Sequence, residues 1–155
     1  MPDAPAIEID PTATFEVTIT TDKGDIVLAL DAALAPTTVN HFVVNARKGF
    51  YDGLSFHRVV PGFVIQGGDP EGSGRGGPGY TFADEPVRGS YTLGAVAMAN
   101  AGPDTNGSQF FICIDDCVTK LQPLYNLFGY VTSGIEVTQK IAVGDKMTSV
   151  TVTET

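Results

Sequence analysis

The sequence predicts a mainly β domain in which an antiparallel sheet curls or closes, accompanied by two helices. Short runs of β-forming residues separated by Gly and Pro recur along the chain, one early segment alternates like a hairpin, and only two segments have helical spacing. Many short strands favour a curled or closed sheet, because this hides the unpaired edges. A small barrel is filled by its own side chains, so a functional site is expected on its outer wall.

The first predicted elements are the two strands of a hairpin. Residues 15–20 alternate between apolar and polar side chains, as in a half-buried strand, and residues 25–30 (DIVLAL) form its partner. The Asp-Lys-Gly sequence at 22–24 has the chemistry of a tight turn. The sequence therefore predicts a hairpin at the start of the domain.

Two helices are predicted. Pro36 suits a first helical position, where its missing N–H costs nothing, and Gly49 ends the segment. Between them one apolar stripe recurs at i, i+3, i+4 and i+7, formed by Val39, Phe42, Val43 and Ala46. The second helix is predicted near residues 134–143. Its inward side chains are expected to be Ile135, Thr138 and Ile141 or Ala142.

Six further β-type runs lie between the two helices, and a last strand is predicted near residues 148–152. The six runs are SFHRVV, FVIQ, YTF, GAVAM, QFFICI and LFGYV. Residues 1–13 contain three prolines and no periodicity, which predicts a loose N-terminal lead-in. The remaining residues, 14–155, are the expected length of a single domain.

Charge and composition exclude several classes of function. The 18 acidic and 9 basic residues give a net charge of −9, which argues against nucleic acids and anionic membranes as partners. The start, MPDAPAIEID, lacks the layout of a secretory signal, which favours the cytoplasm.

Cys113 and Cys117 are expected to be free thiols. Neither His41 nor His57 lies at zinc-finger spacing from them, so no metal or cofactor is expected.

Two short motifs are interpreted against their usual meaning, and one further function of a barrel is excluded. Residues 72–77 spell the GxGxxG of dinucleotide-binding proteins, but no helix follows, so GGDPEGSGRGGPG is interpreted as a long surface loop flanking a groove. Ser55 or Ser108 with His57 suggests a hydrolase, yet the nucleophile elbow is missing. A barrel carrying a lipophilic ligand needs a hollow interior, whereas the runs FVIQ and QFFICI supply bulky fillers.

The run YDGLSFHRVVPGFVIQGGD carries one arginine among apolar residues. A guanidinium removed from water needs acceptors, so Arg58 is either satisfied by a neighbouring carboxylate or carbonyl or is held for a ligand. Gln66 lies eight residues further on and would share a face with Arg58 in a continuous strand. The Pro-Gly pair at 61–62 makes this parity unreliable.

A second run, AMANAGPDTNGSQFFICI, contains a loop rich in Asn and Gly between two strands. The backbone of such a loop offers N–H and C=O groups to an extended peptide. The neighbours Phe110 and Phe111 point to opposite sides of a strand. One is therefore expected to fill the core while the other lines an outer pocket.

FHRVVPGFVIQGGD and MANAGPDTNGSQFFI together resemble the cyclophilin family of peptidyl-prolyl isomerases. PTTVNHF and LFGYV resemble the same family in the same order, so the resemblance extends from about Phe15 to the end of the chain. It implies a closed eight-stranded antiparallel β-barrel with an α-helix over each open end. It also implies a peptidyl-prolyl cis-trans isomerase that assists protein folding, acts on proline-containing peptides and unfolded or folding proteins, and needs no cofactor. Nothing in the sequence demands more than a monomer, which is the expected state.

The resemblance places the catalytic arginine at Arg58. The positions that contact substrate are Phe63, Val64, Gln66, Ala99, Asn100, Ala101, Gln109, Phe111, Leu121 and Tyr125. Val64 stands where the family often has Met, which implies looser packing of the proline ring. Lys120 stands where a Trp is frequent, which implies weak binding of cyclosporin. Tyr125 aligns with a His often found near the groove.

These residue types suit rotation about an Xaa-Pro bond. The planar amide resists rotation by ~18–20 kcal/mol, and twisting frees the lone pair of the prolyl nitrogen. A guanidinium N–H from Arg58 would bond the twisted form and not the planar one, with no covalent intermediate. The alternative function is a proline-peptide binding module with little turnover on the same scaffold.

Overall fold

The structure is a computed structural model that describes residues 5–155. Residues 1–4 of the predicted lead-in lie outside this range. The elements in chain order are β1 (Thr14–Thr21), β2 (Gly24–Asp31), α1 (Pro36–Arg47), β3 (Phe56–Val60), β4 (Val64–Gly67), β5 (Ala95–Met98), β6 (Phe110–Cys113), β7 (Leu127–Ser133), α2 (Ile135–Thr138) and β8 (Met147–Glu154). No helix within the described range is long and apolar enough to span a membrane.

All eight strands belong to one antiparallel sheet, in the order β3-β4-β6-β5-β7-β2-β1-β8. The predicted hairpin is confirmed, since β1 and β2 pair from Phe15 opposite Leu30 to Thr21 opposite Gly24. The mainly β class, the eight antiparallel strands and the two helices are therefore as expected.

The closed barrel is wrong, because the sheet is an open half-barrel whose end strands, β3 and β8, share no ladder. The chain segments before these two strands meet only through a short seam, which includes the Ser55–Lys146 bridge and a 2.8 Å bond from Phe56 N–H to Asp145 C=O. Backbone pairing across this seam is confined to residues 53–56 and 144–147.

Two local predictions also need correction. The run YTF forms no strand, because Phe82 makes only an isolated bridge to Asn106. The second helix spans four residues rather than the ten predicted near 134–143. Beyond it, the Ala142 N–H bonds to the Asp145 carboxylate, so a side chain replaces the helical backbone partner. Thr138 and Ile141 are buried as predicted, whereas Ala142 is exposed.

The two helices lie at opposite ends of β2. The α2 residue Val137 packs against Gly24 at the start of that strand, and α1 begins shortly after its end. The predicted stripe of α1 is fully or almost fully buried, and Phe42 stacks on Tyr51 with ring centroids 4.7 Å apart. Burial of this stripe is the main source of stability for a helix of this length.

The start of α1 is capped from a distance. Ala35 precedes the helix and has no side chain able to accept from the free N–H groups. The carboxylate of Glu85 accepts from the Thr37 N–H at 3.0 Å and from the Thr38 N–H at 2.7 Å. An anion at this position also complements the positive end of the helix dipole. The segment before β5 is thereby fixed to the helix.

The described part of the lead-in, residues 5–13, has no regular secondary structure but contacts α1. The Asn40 side chain accepts from the Glu8 N–H at 2.8 Å and donates to the Ala6 C=O at 3.1 Å. Ile9 is buried in the main core. These contacts hold the segment against the helix.

A buried carboxylate organises the long loop that follows β4. Asp69 is 1% exposed and accepts hydrogen bonds of 2.6–3.1 Å from the N–H groups of Glu71, Ser73, Gly74 and Gly76. Burial by itself would raise the pKa of Asp69, but these donors outweigh it and hold the pKa below its ordinary value. One ionised group therefore fixes the loop.

We expect Asp69→Asn to lower the free energy of unfolding by about 1.5–3 kcal/mol at neutral pH, because the neutral amide is a weaker acceptor for four N–H groups. A depressed pKa in the folded state stabilises the fold above the ordinary Asp value of 3.8, and this contribution is lost as the pH falls below it. Urea denaturation should show the difference between wild type and variant at pH 7 and its decline below pH 3.8.

The matched control is Asp22→Asn, which removes an exposed turn carboxylate. It should leave stability almost unchanged across the same pH range. A wild-type advantage over Asp69→Asn that stays constant down to pH 3 would contradict this role of the ionised carboxylate.

Candidate active site

The sheet has a second apolar face outside the main core. Phe110 lies fully buried in the core, whereas its neighbour Phe111 belongs to a separate outer cluster, as the alternation predicted. This outer cluster consists of Val64, Tyr91, Ala95, Ala97, Phe111, Cys113, Cys117 and Leu127. The candidate site is built on this face.

Strand pairing brings the key side chains into one row. Arg58 of β3 lies directly opposite Gln66 of β4, Gln66 lies opposite Phe111 of β6, and Phe111 lies opposite Ala97 of β5. Arg58 and Gln66 lie side by side because β3 and β4 pair as a hairpin, and not because the two residues belong to one continuous strand. The row runs from a cation through an amide to an aromatic ring, with the small side chain of Ala97 beside the ring.

Above this row lies a pocket of about 560 Å³. Nine of the eleven predicted site residues line it, namely Arg58, Phe63, Val64, Gln66, Ala99, Asn100, Phe111, Leu121 and Tyr125. The structure therefore brings together residues that lie more than 60 positions apart in the chain. Three lining residues were not predicted as site residues: His57, Ser73 and Gly74. The sequence signal that could have identified His57 as a lining residue is its position next to Arg58.

A second pocket of about 550 Å³ adjoins the first. The two share Gln66, Gly74, Ala99 and Asn100 as a common wall. The other two predicted residues, Ala101 and Gln109, line this second pocket. Residues 75–81 also line it, so the Gly-rich loop flanks a groove as predicted.

Arg58 begins a directed chain of hydrogen bonds along the groove. Its Nη1 donates to Gln66 Oε1 at 3.2 Å, Gln66 Nε2 donates to Gln109 Oε1 at 3.1 Å, and Gln109 Nε2 donates to the Gly76 C=O at 2.9 Å. Bonds aligned in this way polarise one another. The relay joins the cation to the loop that Asp69 holds.

The Arg58 guanidinium keeps donors available for a ligand. The residue is exposed and forms no salt bridge with any carboxylate in residues 5–155. Of the acceptors expected for this arginine, the carboxylate is therefore wrong among the described residues, and the acceptor that it contacts is the side-chain carbonyl of Gln66. Its one side-chain partner is the Gln66 amide, which leaves most of its five N–H groups free.

The apolar wall is fixed by aromatic contacts. Phe111 meets Tyr125 edge-on, with ring centroids 5.5 Å apart and an interplanar angle of 86°. The backbone of Tyr125 is held by Tyr91, whose hydroxyl donates to the Tyr125 C=O at 2.6 Å. Asn100 donates from Nδ2 to the Leu124 C=O at 2.9 Å. The segment before β7 is thus anchored, and Leu121 and Tyr125 face the groove.

Lys120 does not line either pocket. Its Nζ donates to the Gly62 C=O at 2.7 Å and lies 3.7 Å from an Asp115 carboxylate oxygen. The side chain therefore contacts the turn between β3 and β4 instead of extending the apolar wall.

The thiols and histidines form no metal centre. Cys113 and Cys117 are free and buried, and burial raises the pKa of both. His41 is buried on α1 against Phe82, where burial lowers its pKa. Within the part of the chain that the structure describes, no group of three or more His, Cys, Asp or Glu residues is placed to hold a metal ion.

The groove thus combines a fixed cation, a neutral amide relay and an apolar pocket. Such a site can hold a ring-bearing apolar side chain while donating hydrogen bonds to the neighbouring backbone. An arginine is never deprotonated in proteins, so it acts as a donor and not as a base.

The chain matches the family described as cyclophilin type peptidyl-prolyl cis-trans isomerase over residues 16–155. It is 43% identical over 157 aligned residues to a peptidyl-prolyl cis-trans isomerase of Helicobacter pylori, covering 92% of this chain and 96% of that protein. It is 48% identical over 133 residues to peptidyl-prolyl cis-trans isomerase B of Bacillus subtilis, covering 84% and 92%.

The fold is also similar to a solved structure. A cyclophilin type peptidyl-prolyl cis-trans isomerase of Cryptosporidium parvum superposes with a TM-score of 0.83 at 30% identity, covering 90% of this chain and 98% of that one. The same protein was crystallised in the presence of the dipeptide Ala-Pro, and that structure superposes with a TM-score of 0.82 at 31% identity, covering 89% and 98%. Fold, groove and sequence agree, and the chain belongs to the family of cyclophilin-type peptidyl-prolyl cis-trans isomerases.

Proposed function

We propose that this isomerase rotates Xaa-Pro bonds in the pocket beside Arg58, with that arginine as the catalytic residue. The observation that carries the assignment is an arginine with no carboxylate partner among residues 5–155, placed in one cross-strand row with Gln66 and Phe111. The apolar wall at Phe63, Val64 and Phe111 is the expected seat of the proline ring.

Arg58 lowers the barrier by bonding only one form of the substrate. In the planar amide the prolyl nitrogen shares its lone pair with the carbonyl, so it accepts no hydrogen bond. Rotation breaks this conjugation and returns the lone pair to the nitrogen. A guanidinium N–H aimed there stabilises the twisted form, and only interactions that strengthen in the transition state accelerate the step.

This bond alone does not account for an efficient enzyme. A hydrogen bond to a charged group contributes roughly 1.5–3 kcal/mol, or about one to two decades of rate. The pocket therefore has to select the twisted geometry as well. In our proposal the apolar wall holds the ring, while the Gln66 amide and the Asn100 backbone hold the residue before proline, so the two sides of the bond turn against each other.

The proposed partners are proline-containing peptides and unfolded or folding proteins. Binding of a proline peptide is supported by the groove itself and by the relative crystallised in the presence of Ala-Pro. We further propose that the chain acts as a monomer in the cytoplasm. The two free thiols, Cys113 and Cys117, support that location, because disulfides are rare in the cytoplasm.

Replacing Arg58 should separate turnover from binding. Arg58→Ala is expected to lower kcat/KM about 10- to 100-fold, because the transition-state hydrogen bond is lost, while peptide affinity changes little. Exchange between the cis and trans NMR signals of a short Xaa-Pro peptide measures turnover, and calorimetry measures affinity.

The control for Arg58→Ala is Arg88→Gln, which removes an exposed arginine that lines neither pocket. It should leave both measurements unchanged. Equal exchange from wild type and Arg58→Ala would refute the catalytic role. Absence of exchange from the wild type, with peptide binding retained, would instead support the binding-module alternative.

Shortening Phe111 should harm binding and turnover together. Phe111→Ala removes the ring that faces both the pocket and Tyr125, so we expect about tenfold weaker peptide binding and a similar or larger fall in kcat/KM. The matched control is Leu93→Ala, since Leu93 is an exposed apolar residue outside both pockets. Weakened turnover with unchanged peptide affinity would contradict the role of Phe111 in binding the proline ring.

Cyclosporin is expected to bind weakly, because Lys120 contacts the β3–β4 turn where many relatives present an indole to the ligand. Lys120→Trp should strengthen binding at least tenfold through added apolar contact, measured by calorimetry. Lys120→Ala is the control, since it removes the lysine without supplying a ring. Equal affinities of Lys120→Trp and Lys120→Ala would contradict this explanation.

A further inference from the structure

The groove differs in charge from the rest of the protein. The chain has a net charge of −9, yet no Asp or Glu of the described residues lines either pocket. The formally charged residues in the two linings are Arg58 in the first pocket and Arg75 in the second. An anionic protein thus presents a cationic groove, and charge within a cleft is felt more strongly than charge on an open surface.

Among the described residues, the side chain of Arg75 has no structural role in the fold. It is exposed, and its side chain forms no salt bridge and no hydrogen bond with residues 5–155. Only its backbone is engaged, through a 3.1 Å bond from its N–H to the Ser73 hydroxyl. The residue is carried by the loop that Asp69 fixes, so its place beside the second pocket is defined.

Two carboxylates lie near this arginine, and neither neutralises it. Asp69 is occupied by four backbone N–H groups beneath the loop. Glu71 Oε2 lies close to Gly76, but it is not within 4.0 Å of the Arg75 guanidinium. An acidic side chain brought by a ligand would therefore be the direct partner of Arg75.

We propose that Arg75 gives this isomerase a preference for substrates with a Glu or Asp two or three residues before the proline. This inference rests on the proposed function, which seats the proline in the first pocket and holds the preceding residue at the wall shared by both pockets. A chain that continues past this wall enters the second pocket, where a carboxylate and the guanidinium can pair in the two-bond geometry that arginine favours.

The size of the effect follows from the exposure of the pair. Solvent-exposed ion pairs contribute up to about 1 kcal/mol, which corresponds to about a fivefold preference. The preference should decline in 1 M salt, where the screening length falls to about 3 Å.

The test compares peptide pairs that carry Glu or Gln at one position relative to the proline: three before, two before or two after. For the wild type we expect kcat/KM to be about fivefold higher for Glu than for Gln at one of the preceding positions, and equal at the position after proline. Arg75→Gln should bring the Glu-to-Gln ratio to about one, and Arg75→Glu should reverse it so that the Gln peptide is the better substrate. Arg75→Lys should retain most of it.

Two matched controls separate a local contact from the overall field of the protein. Arg88→Gln removes the same charge outside both pockets, so it should leave the ratio unchanged. Glu71→Gln removes an exposed carboxylate that lies close to Gly76 of the second pocket, and it should raise the ratio.

The outcomes distinguish this inference from the function on which it rests. If the wild type catalyses exchange in all peptides with equal rates for Glu and Gln, or if Arg75→Gln keeps the preference, the role of Arg75 is overturned and the isomerase assignment stands. If the wild type catalyses exchange in none, the proposed function fails. In that case, calorimetry of the same peptides decides whether Arg75 selects acidic ligands. Equal affinities for the Glu and Gln peptides would overturn this role of Arg75.

Discussion

The two-residue alternation of the strands is the constraint on which the site depends. Each strand in the row β3-β4-β6-β5 has one face in the core and one in the groove, so a residue and its neighbour serve opposite purposes. Phe110 stabilises the interior and Phe111 lines the pocket. A shift of register by one residue would exchange these two faces, so the core that fixes the register also fixes the site.

The groove is cationic because the groups around its arginines do not neutralise them. Arg58 is held by an amide and not by a carboxylate, so its position is defined while its donors stay available. The amide relay passes through Gln66 and Gln109 to the loop organised by Asp69. A buried anion beneath the loop thus supports a cationic surface above it, because its charge is satisfied by backbone N–H groups.

Much of this arrangement was predictable from local patterns and from the family resemblance. The hairpin, the stripe of α1 and the opposed roles of Phe110 and Phe111 follow from periodicity alone. The pairing of Arg58 with Gln66 does not, because it depends on where the hairpin turns at residues 61–62. The seam between residues 53–56 and 144–147 and the shortness of α2 also escape prediction. The seam depends on backbone partners distant in sequence, whereas α2 ends where the Asp145 carboxylate accepts from the Ala142 N–H. Arg75 was missed because a loop rich in Gly has no periodicity to indicate where its residues face.

The open seam affects how two copies of the protein can associate. Beyond Phe56 the outer edge of β3 has no neighbouring strand, so it resembles the exposed edges through which sheets join end to end. This edge strand has only five residues and carries a permanent positive charge at its centre. A second copy approaching in register would bring two such charges together without a counter-ion. The arginine proposed to catalyse prolyl isomerisation would therefore also disfavour end-to-end pairing of two copies through this edge.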